Sequence, residues 1–115
     1  MSDAASEPVP PFHLFLEQRE VLITAQALRL LISDEAHEPE IRRLAREVID
    51  GLEQPADELG VTTVTLAPRQ MKVTHSAVRL LLKDLQREQE PERMILRAIL
   101  EKLPDEHTMR AIELE

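Results

Sequence analysis

The sequence has no cysteine, no tryptophan and no tyrosine, and it has only two phenylalanines and two glycines in 115 residues. Without cysteine the chain can form neither disulfides nor cysteine-ligated zinc or iron–sulfur sites. With so few glycines it has little of the loop structure from which enzyme pockets are commonly built. A core without aromatic residues must consist of Leu, Ile, Val, Ala and Met, which favours helix packing over a β-sandwich. We therefore predict a mainly α-helical, non-enzymatic protein that needs no cofactor.

The sequence also lacks recognisable targeting segments. Its first eleven residues, MSDAASEPVPP, contain neither the basic start nor the apolar stretch of a secretory signal. No apolar run approaches the roughly 18 residues that a membrane-spanning helix requires. We expect a cytoplasmic protein without a membrane partner. Because residues 1–11 are small, acidic and rich in proline, we predict that they form a disordered tail.

Positive charge is scarce overall but unevenly distributed. The formal net charge is −8, which disfavours general binding to nucleic acid or to anionic membranes. Residues 1–60 contain five Lys or Arg against thirteen Asp or Glu, whereas residues 61–104 contain eight against five. Residues 61–104 therefore have a net charge of +3 and can form a basic surface on an acidic protein, and the last eleven residues return to a net charge of −3.

The chain contains an internal repeat. TAQALRLLISD at residues 24–34 returns as THSAVRLLLKD at residues 74–84, and the similarity resumes, after one inserted residue, in LAREVIDGL (44–52) and ILRAILEKL (95–103). The insertion falls between helices, where loops tolerate it. We predict one helical domain over residues 12–115. It comprises repeat one (12–58), repeat two (62–106) and a short strand-like C-terminal tail (107–115).

Each repeat is predicted to contain a strand, a long helix and a shorter helix. VTTVTL is β-branched and alternates as a strand requires, and proline suits the first turn of a helix. The predicted elements are strands over 12–16 and 62–66, long helices over 17–36 and 68–87, and shorter helices that begin at Pro39 and Pro91.

One such unit cannot bury the wide apolar face of its own long helix. Two units that face each other across a pseudo-twofold axis can share a four-helix core, and their strands can pair as a small ribbon. Within the long helices, Thr24 and Thr74 fall on the apolar side, where a threonine hydroxyl can bond to the carbonyl one turn earlier.

The long helix of repeat two has a basic stripe. At about 100° per residue, its cations lie within roughly a quarter of the helix circumference, with Ser76 among them. The stripe can bind phosphates or an acidic partner surface, or it can be an ordinary solvated face. Only two of its arginines have counterparts in repeat one. The stripe consists of Arg69, Lys72, Arg79, Lys83 and Arg87.

An acidic segment, DEAHEPE at residues 34–40, contains His37 beside Asp34, Glu35 and Glu38. Imidazole and carboxylate groups are suitable ligands for zinc or manganese. A single histidine in a loop lacks the spacing by which three or four ligands converge, so we predict an acidic interhelical loop and no metal site.

Two functions from different classes remain. VLITAQALRLLI, at residues 21–32, is apolar over more than half of its circumference, and exposed apolar surface usually marks an interface. We predict a protein–protein interaction module that most simply associates with itself as a homodimer.

The alternative is a DNA-binding regulator. The strand–helix–helix order resembles that of the ribbon–helix–helix repressors, in which two units pair their strands into a ribbon that enters the major groove. This resemblance implies a fused pair with contacts from Thr63, Thr65, Arg69 and Lys72. Against it, the strand FHLFL lacks Arg, Lys, Asn and Gln for base reading, and both long helices exceed those of that family.

Overall fold

The computed structural model of the protein describes residues 12–33 and 38–104, and within these ranges it is mainly helical. The predicted combination of four helices with two paired strands is confirmed. The predicted tails over residues 1–11 and 107–115, and residues 34–37 of the acidic segment, lie outside the described residues. In chain order the elements are β1 (Phe12–Glu17), α1 (Gln18–Ser33), α2 (Pro39–Leu52), β2 (Val61–Leu66), α3 (Pro68–Asp84), a 3-10 helix (Arg87–Gln89) and α4 (Glu90–Lys102).

The two strands form an antiparallel ribbon with one buried face and one solvent-exposed face. Phe12 lies opposite Leu66, and Glu17 lies opposite Val61. Because side chains alternate along a strand, every second residue is buried against the helices. The buried residues are Leu14, Leu16, Thr62, Val64 and Leu66, and the exposed ones are His13, Phe15, Glu17, Thr63 and Thr65.

The core lies beneath the ribbon, between the helices. The long helices α1 and α3 contact each other, and each of them contacts both shorter helices. The buried apolar side chains are all Leu, Ile, Val, Ala or Met, and Leu28 of α1 and Val78 of α3 are completely enclosed. A helix pair of this kind buries a stripe of side chains that recurs every three or four residues, which is the spacing seen in both long helices.

Both long helices begin in the same way. The backbone N–H of Glu17 donates to Oε1 of Glu20 at 2.8 Å, and that of Ala67 donates to Oε1 of Gln70 at 2.8 Å. In each case the side chain of the third helical residue accepts the backbone N–H of the residue immediately before the helix, as in one half of a capping box. Proline lies in the first turn of α2, α3 and α4. Its missing backbone N–H costs nothing there, because N–H groups of the first turn have no acceptor within the helix.

A tight turn immediately precedes β2. The Oδ1 atom of Asp57 accepts the backbone N–H groups of Leu59 (2.8 Å) and Val61 (3.0 Å). Gly60 between them has a φ of 79°, which a residue without a side chain adopts most easily. This local hydrogen bonding determines where the second strand starts.

Two details of the long helices differ from the predictions. The predicted extension of the second long helix to residue 87 is wrong: α3 ends at Asp84, Leu85 is extended, and Arg87 belongs to the separate 3-10 helix. Leu85 packs against the core, so tertiary contact ends the helix before the local sequence would. The Thr74 hydroxyl donates to the Gln70 carbonyl at 2.8 Å as predicted, whereas the Thr24 hydroxyl is buried without a partner.

Candidate functional site

An open groove of about 910 Å³ lies between α3 and α4, and we call it the basic groove. The C-terminal half of α3 forms one wall, and Arg93 and Leu100 of α4 form the other. Leu85 and Gln86, between the helices, also line it. The lining residues are His75, Ser76, Arg79, Leu80, Leu82, Lys83, Leu85, Gln86, Arg93 and Leu100.

The basic groove concentrates positive charge on an acidic protein. Arg79, Lys83 and Arg93 line it, and no carboxylate belongs to its described lining. Arg79 and Lys83 are four residues apart, so they lie on the same side of α3 one turn from each other. The Nη1 atom of Arg93 is 3.6 Å from Glu90 Oε1, while its Nε is buried without a hydrogen-bond partner among the described residues.

Leucines give the same groove an apolar component. Leu80 is 49% exposed, and Leu82, Leu85 and Leu100 are half-buried. His75 is buried in the wall on the α3 side. The combination of cations with partly exposed leucines can hold a ligand that is both acidic and apolar.

The predicted basic stripe divides between two environments. Arg79 and Lys83 line the basic groove, whereas Arg69 lies beside helix α2, with its Nη1 atom 3.8 Å from Glu40 Oε2. Lys72 lies on α3 between Arg69 and Arg79 and is half-buried. Arg87 belongs to the 3-10 helix that follows the end of α3. Of the four stripe residues whose side chains the structure describes, two, Arg79 and Lys83, are therefore brought together.

Sequence reasoning missed Arg93, because this residue comes from a different helix. A signal was available in the sequence, because Arg42 of α2 lies 51 residues earlier, at the position that the predicted repeat aligns with Arg93. Both arginines are half-buried, and both have a buried Nε without a hydrogen-bond partner among the described residues. An arginine that recurs at the same place on the two shorter helices marks a position near the core edge.

A second surface lies between the two long helices, and we call it the leucine face. Leu30 of α1 and Leu80 of α3 are each 49% exposed there. Between them is a shallow recess of about 210 Å³. Its lining comprises Ala27, Leu30, Leu31, Ala77, Leu80, Leu81 and Asp84, so that Leu80 belongs to both surfaces.

The exposed side of α2 carries a charge network. Arg43 donates from Nε to Glu40 Oε1 at 3.0 Å and also pairs with Glu47. The hydrogen bond from Arg43 holds the pKa of Glu40 below its ordinary value of 4.5, and the same bond raises the pKa of Arg43. Because Arg69 also lies beside Glu40, this network includes one of the cations predicted for the basic stripe.

The outer side of the ribbon holds the residues on which the DNA-binding alternative depends. Thr63 and Thr65 are exposed there, and Thr65 Oγ1 lies 3.2 Å from His13 Nδ1. Phe15 is 56% exposed on the same side. Acidic residues stand in the first turns of both shorter helices, where a phosphate would otherwise find favourable N–H groups.

Neither a metal centre nor a membrane-spanning helix is found in the part of the chain that the structure describes. No three His, Asp or Glu side chains converge there in a way that could hold a metal ion. His37, Asp34 and Glu35 of the acidic segment lie outside that part. None of the described helices is long and apolar enough to cross a membrane.

The fold and its surfaces define a small helical domain with a two-stranded ribbon, a basic groove and a leucine face. Comparison with known proteins finds no family model, no curated protein and no solved structure that matches this chain.

Proposed function

We propose that the protein is a non-enzymatic interaction module that associates with itself through the leucine face. The observation that carries this proposal is the pair Leu30 and Leu80, half exposed on neighbouring helices. Leucine side chains held partly in water are a common mark of an interface. They stand beside Ala27 and Ala77, whose small side chains leave the recess between the helices.

The proposed interface is self-complementary. A twofold contact requires that a surface carry both the protruding and the receiving part. In the leucine face, Leu30 and Leu80 protrude, and the recess over Ala27 and Ala77 can receive the leucines of a second copy. Burial of such side chains stabilises an interface by about 25 cal/mol for each Å² of apolar surface.

We further propose that the two strand–helix–helix units are related by a pseudo-twofold axis through the ribbon. Its register supports this, because Leu14 lies opposite Val64, its counterpart fifty residues later. Exchange of the two units leaves the pairing of β1 with β2 unchanged, since Phe12 faces Leu66 and Leu16 faces Thr62. Leu30 and Leu80 would then be equivalent, which a symmetric interface favours.

DNA binding is the second candidate, and the antiparallel ribbon is the observation that favours it. Two-stranded ribbons fit the major groove. The exposed threonines of β2 are suited to hydrogen bonding, but β1 contributes His13, Phe15 and Glu17 at its exposed positions. A carboxylate on the ribbon and acidic helix starts repel phosphates, which weakens this candidate.

The test is the absolute mass of the full chain by sedimentation equilibrium at low and moderate salt. We expect a dimer of twice the 13.2 kDa chain mass, with little dependence on salt because the interface is apolar. The double variant Leu30→Asn/Leu80→Asn should be a folded monomer. Leu22→Asn, an exposed position of α1 outside the leucine face, is the matched control and should remain dimeric.

A strictly monomeric unchanged chain at high concentration would overturn self-association. Titration with duplex DNA at low salt separates the second candidate. Nanomolar binding that weakens steeply with salt and is lost in Thr63→Ala/Thr65→Ala would support the ribbon as a DNA-binding surface. Absence of binding at low salt would remove that candidate.

A further inference from the structure

The ribbon has backbone hydrogen-bonding groups at its outer edges as well as between its strands. In an antiparallel pair, successive residues point their N–H and C=O groups alternately toward the partner strand and away from it. Both backbone groups of Val61 bind Asp57 and not β1, since the Val61 carbonyl accepts the Asp57 N–H at 2.8 Å and the Val61 N–H donates to Asp57 Oδ1. Because alternate residues point the same way, the backbone groups of Thr63 and Thr65 also point away from β1.

The open part of this edge is short and has defined ends. At one end both outward groups of Val61 are occupied, and at the other end the Ala67 N–H donates to Gln70 Oε1. Between these ends, no hydrogen bond joins the outward backbone groups of Thr63 and Thr65 to another described residue. We call Thr63 and Thr65 the free edge of β2. Each of these residues offers one donor and one acceptor to a further strand.

The outer edge of β1, in contrast, is covered by a lysine. Lys102, at the C-terminal end of α4, donates from Nζ to the Phe15 carbonyl at 2.9 Å. This carbonyl points away from β2, because Phe15 lies opposite Thr63. A lysine at an outer strand is one of the means by which proteins prevent a further strand from pairing there.

In α2 a glycine takes the place of this lysine. The predicted repeat aligns Gly51 with Lys102, and this comparison rests on the pseudo-twofold relation proposed above. A Cβ atom at Gly51 would lie 3.3 Å from Cγ1 of Val64, which is the residue between the two threonines of the free edge. The position of α2 that lies next to β2 therefore has no side chain that could cover the edge.

We propose that the free edge of β2 binds an extended, basic segment of a partner protein as a third strand of the ribbon. In strand addition of this kind, backbone hydrogen bonds supply the affinity. The sequence VTTVTL is suited to it, because it is β-branched and contains neither the proline nor the charged residue that commonly protects an edge. This inference goes beyond self-association, since the recess of the leucine face is lined by residues of α1 and α3.

The charge around the free edge indicates a basic partner. Residues 50–66 contain four carboxylates and no Lys or Arg. A segment with lysines beside its paired residues is attracted to these carboxylates, whereas a second copy of the chain brings the same carboxylates and is repelled. The charge therefore favours a different protein over β2 of another copy. The carboxylates, all exposed, are Asp50, Glu53, Asp57 and Glu58.

The probe for the experiment is a short fluorescein-labelled peptide of alternating valine and threonine with lysines at both ends, titrated with the full chain by fluorescence anisotropy. We expect saturable binding that weakens between 0.01 M and 0.15 M salt, where the screening length falls from about 30 Å to about 8 Å. The same peptide with N-methylated backbone amides should bind at least about tenfold more weakly, because it has lost its backbone donors. Equal binding of both peptides, or no binding at low salt, would overturn the proposal.

The matched variants change the covering of the edge. Gly51→Lys supplies the side chain that Lys102 supplies at the other edge, and it should weaken peptide binding at least about tenfold. Gly51→Ala adds the same Cβ, with the same approach to Val64, but no amine, and its affinity should stay within about twofold of the unchanged chain. Gln54→Lys adds the same charge at an exposed position and should weaken binding by less than about threefold. Equal affinities of Gly51→Lys and either control would contradict the proposal.

Amide hydrogen exchange locates the bound strand. In the free protein we expect fast exchange at Thr63 and Thr65, whose N–H groups point outward, and slower exchange at Thr62 and Val64, whose N–H groups point toward β1. Saturation with the peptide should slow exchange at Thr63 and Thr65. Unchanged exchange at these two residues would show that the peptide binds elsewhere and would overturn the proposal.

Two measurements separate this inference from self-association. Leu30→Asn/Leu80→Asn should bind the peptide within about twofold of the unchanged chain, since distant sites act nearly independently. A monomeric unchanged chain that binds the peptide would remove self-association and support the free edge as a binding site. Gly51→Lys should leave the mass in sedimentation equilibrium unchanged. Loss of a dimer in Gly51→Lys would mean that a second copy occupies the free edge, which would overturn the proposal.

Discussion

The two parts of the molecule, residues 12–52 and 61–103, bury similar positions but present different surfaces. Leu16 and Leu66 are both enclosed beneath the ribbon, and Leu28 and Val78 are both enclosed in the core. At the surface the parts diverge, since Ser33 of α1 corresponds to Lys83 of α3. These fully enclosed positions remain aliphatic because close packing tolerates little change, whereas surface positions are free to acquire a charge.

The positions at which the two long helices differ indicate where a specialised function would lie. Gln26 and Ser33 of α1 are replaced by Ser76 and Lys83 of α3, and Ala25 is replaced by His75. All three of these α3 residues line the basic groove. A shared core therefore supports a surface that only the second part of the chain supplies with this set of residues.

The matching helix starts have also acquired different partners. Glu20 is buried and binds Lys102 Nζ at 2.6 Å, and Lys102 also donates to the Phe15 carbonyl at 2.9 Å. Gln70, its counterpart, donates from Nε2 to Glu47 Oε1 at 3.0 Å. The start of α1 is thus joined to α4, and the start of α3 is joined to α2. These cross-connections tie the two parts into one unit.

The largest expected effect tests whether the two parts contribute equally to the core. Leu16→Ala and Leu66→Ala should each lower the free energy of unfolding by about 2–5 kcal/mol, because each removes a fully buried leucine. Urea denaturation followed by circular dichroism measures both. Leu59→Ala, at a position 87% exposed, is the control and should change it by less than about 0.5 kcal/mol. A large loss in one core variant only would break the comparison.

A smaller expected effect is a change of opposite sign in the free energy of unfolding when each of the two buried threonines is replaced. Thr74→Val should lower the free energy of unfolding by about 1 kcal/mol, because it removes the hydrogen bond to Gln70. Thr24→Val should raise it by about 1 kcal/mol, because it replaces a buried hydroxyl without a partner by a methyl group of similar shape. Opposite signs in the same denaturation assay are the expected result. Equal shifts would show that the two hydroxyls have equivalent surroundings.

The smallest effect concerns the charged side of α2. Folding lowers the pKa of Glu40 through its hydrogen bond with Arg43, so the resulting stabilisation is present above the ordinary value of 4.5 and is lost as pH falls through the folded pKa. Glu40→Gln should lower the thermal midpoint slightly at neutral pH and not at all at strongly acidic pH. In α4, Met94 corresponds to Arg43, and Met94→Ala should show no such pH dependence. A pH-independent effect of Glu40→Gln would contradict this origin.

Much of the fold could be predicted because its signals are local. Alternation and β-branching located VTTVTL in a strand, and Pro39, Pro68 and Pro91 lie in the first turns of three helices. The basic groove was only partly predictable. Arg79 and Lys83 lie on one side of one helix, which periodicity reveals, but Arg93 belongs to another helix and joins them only through packing.

The sequence by itself determined the order and type of the strands and helices and the apolar side of each, because these depend on steric preferences and on spacing along the chain. Only the tertiary structure decided that α3 ends at Asp84, that Thr24 lacks the hydrogen bond which Thr74 makes, and that Arg93 stands across from Lys83. These outcomes depend on distances between atoms that are far apart in the chain, which periodicity along one element does not specify.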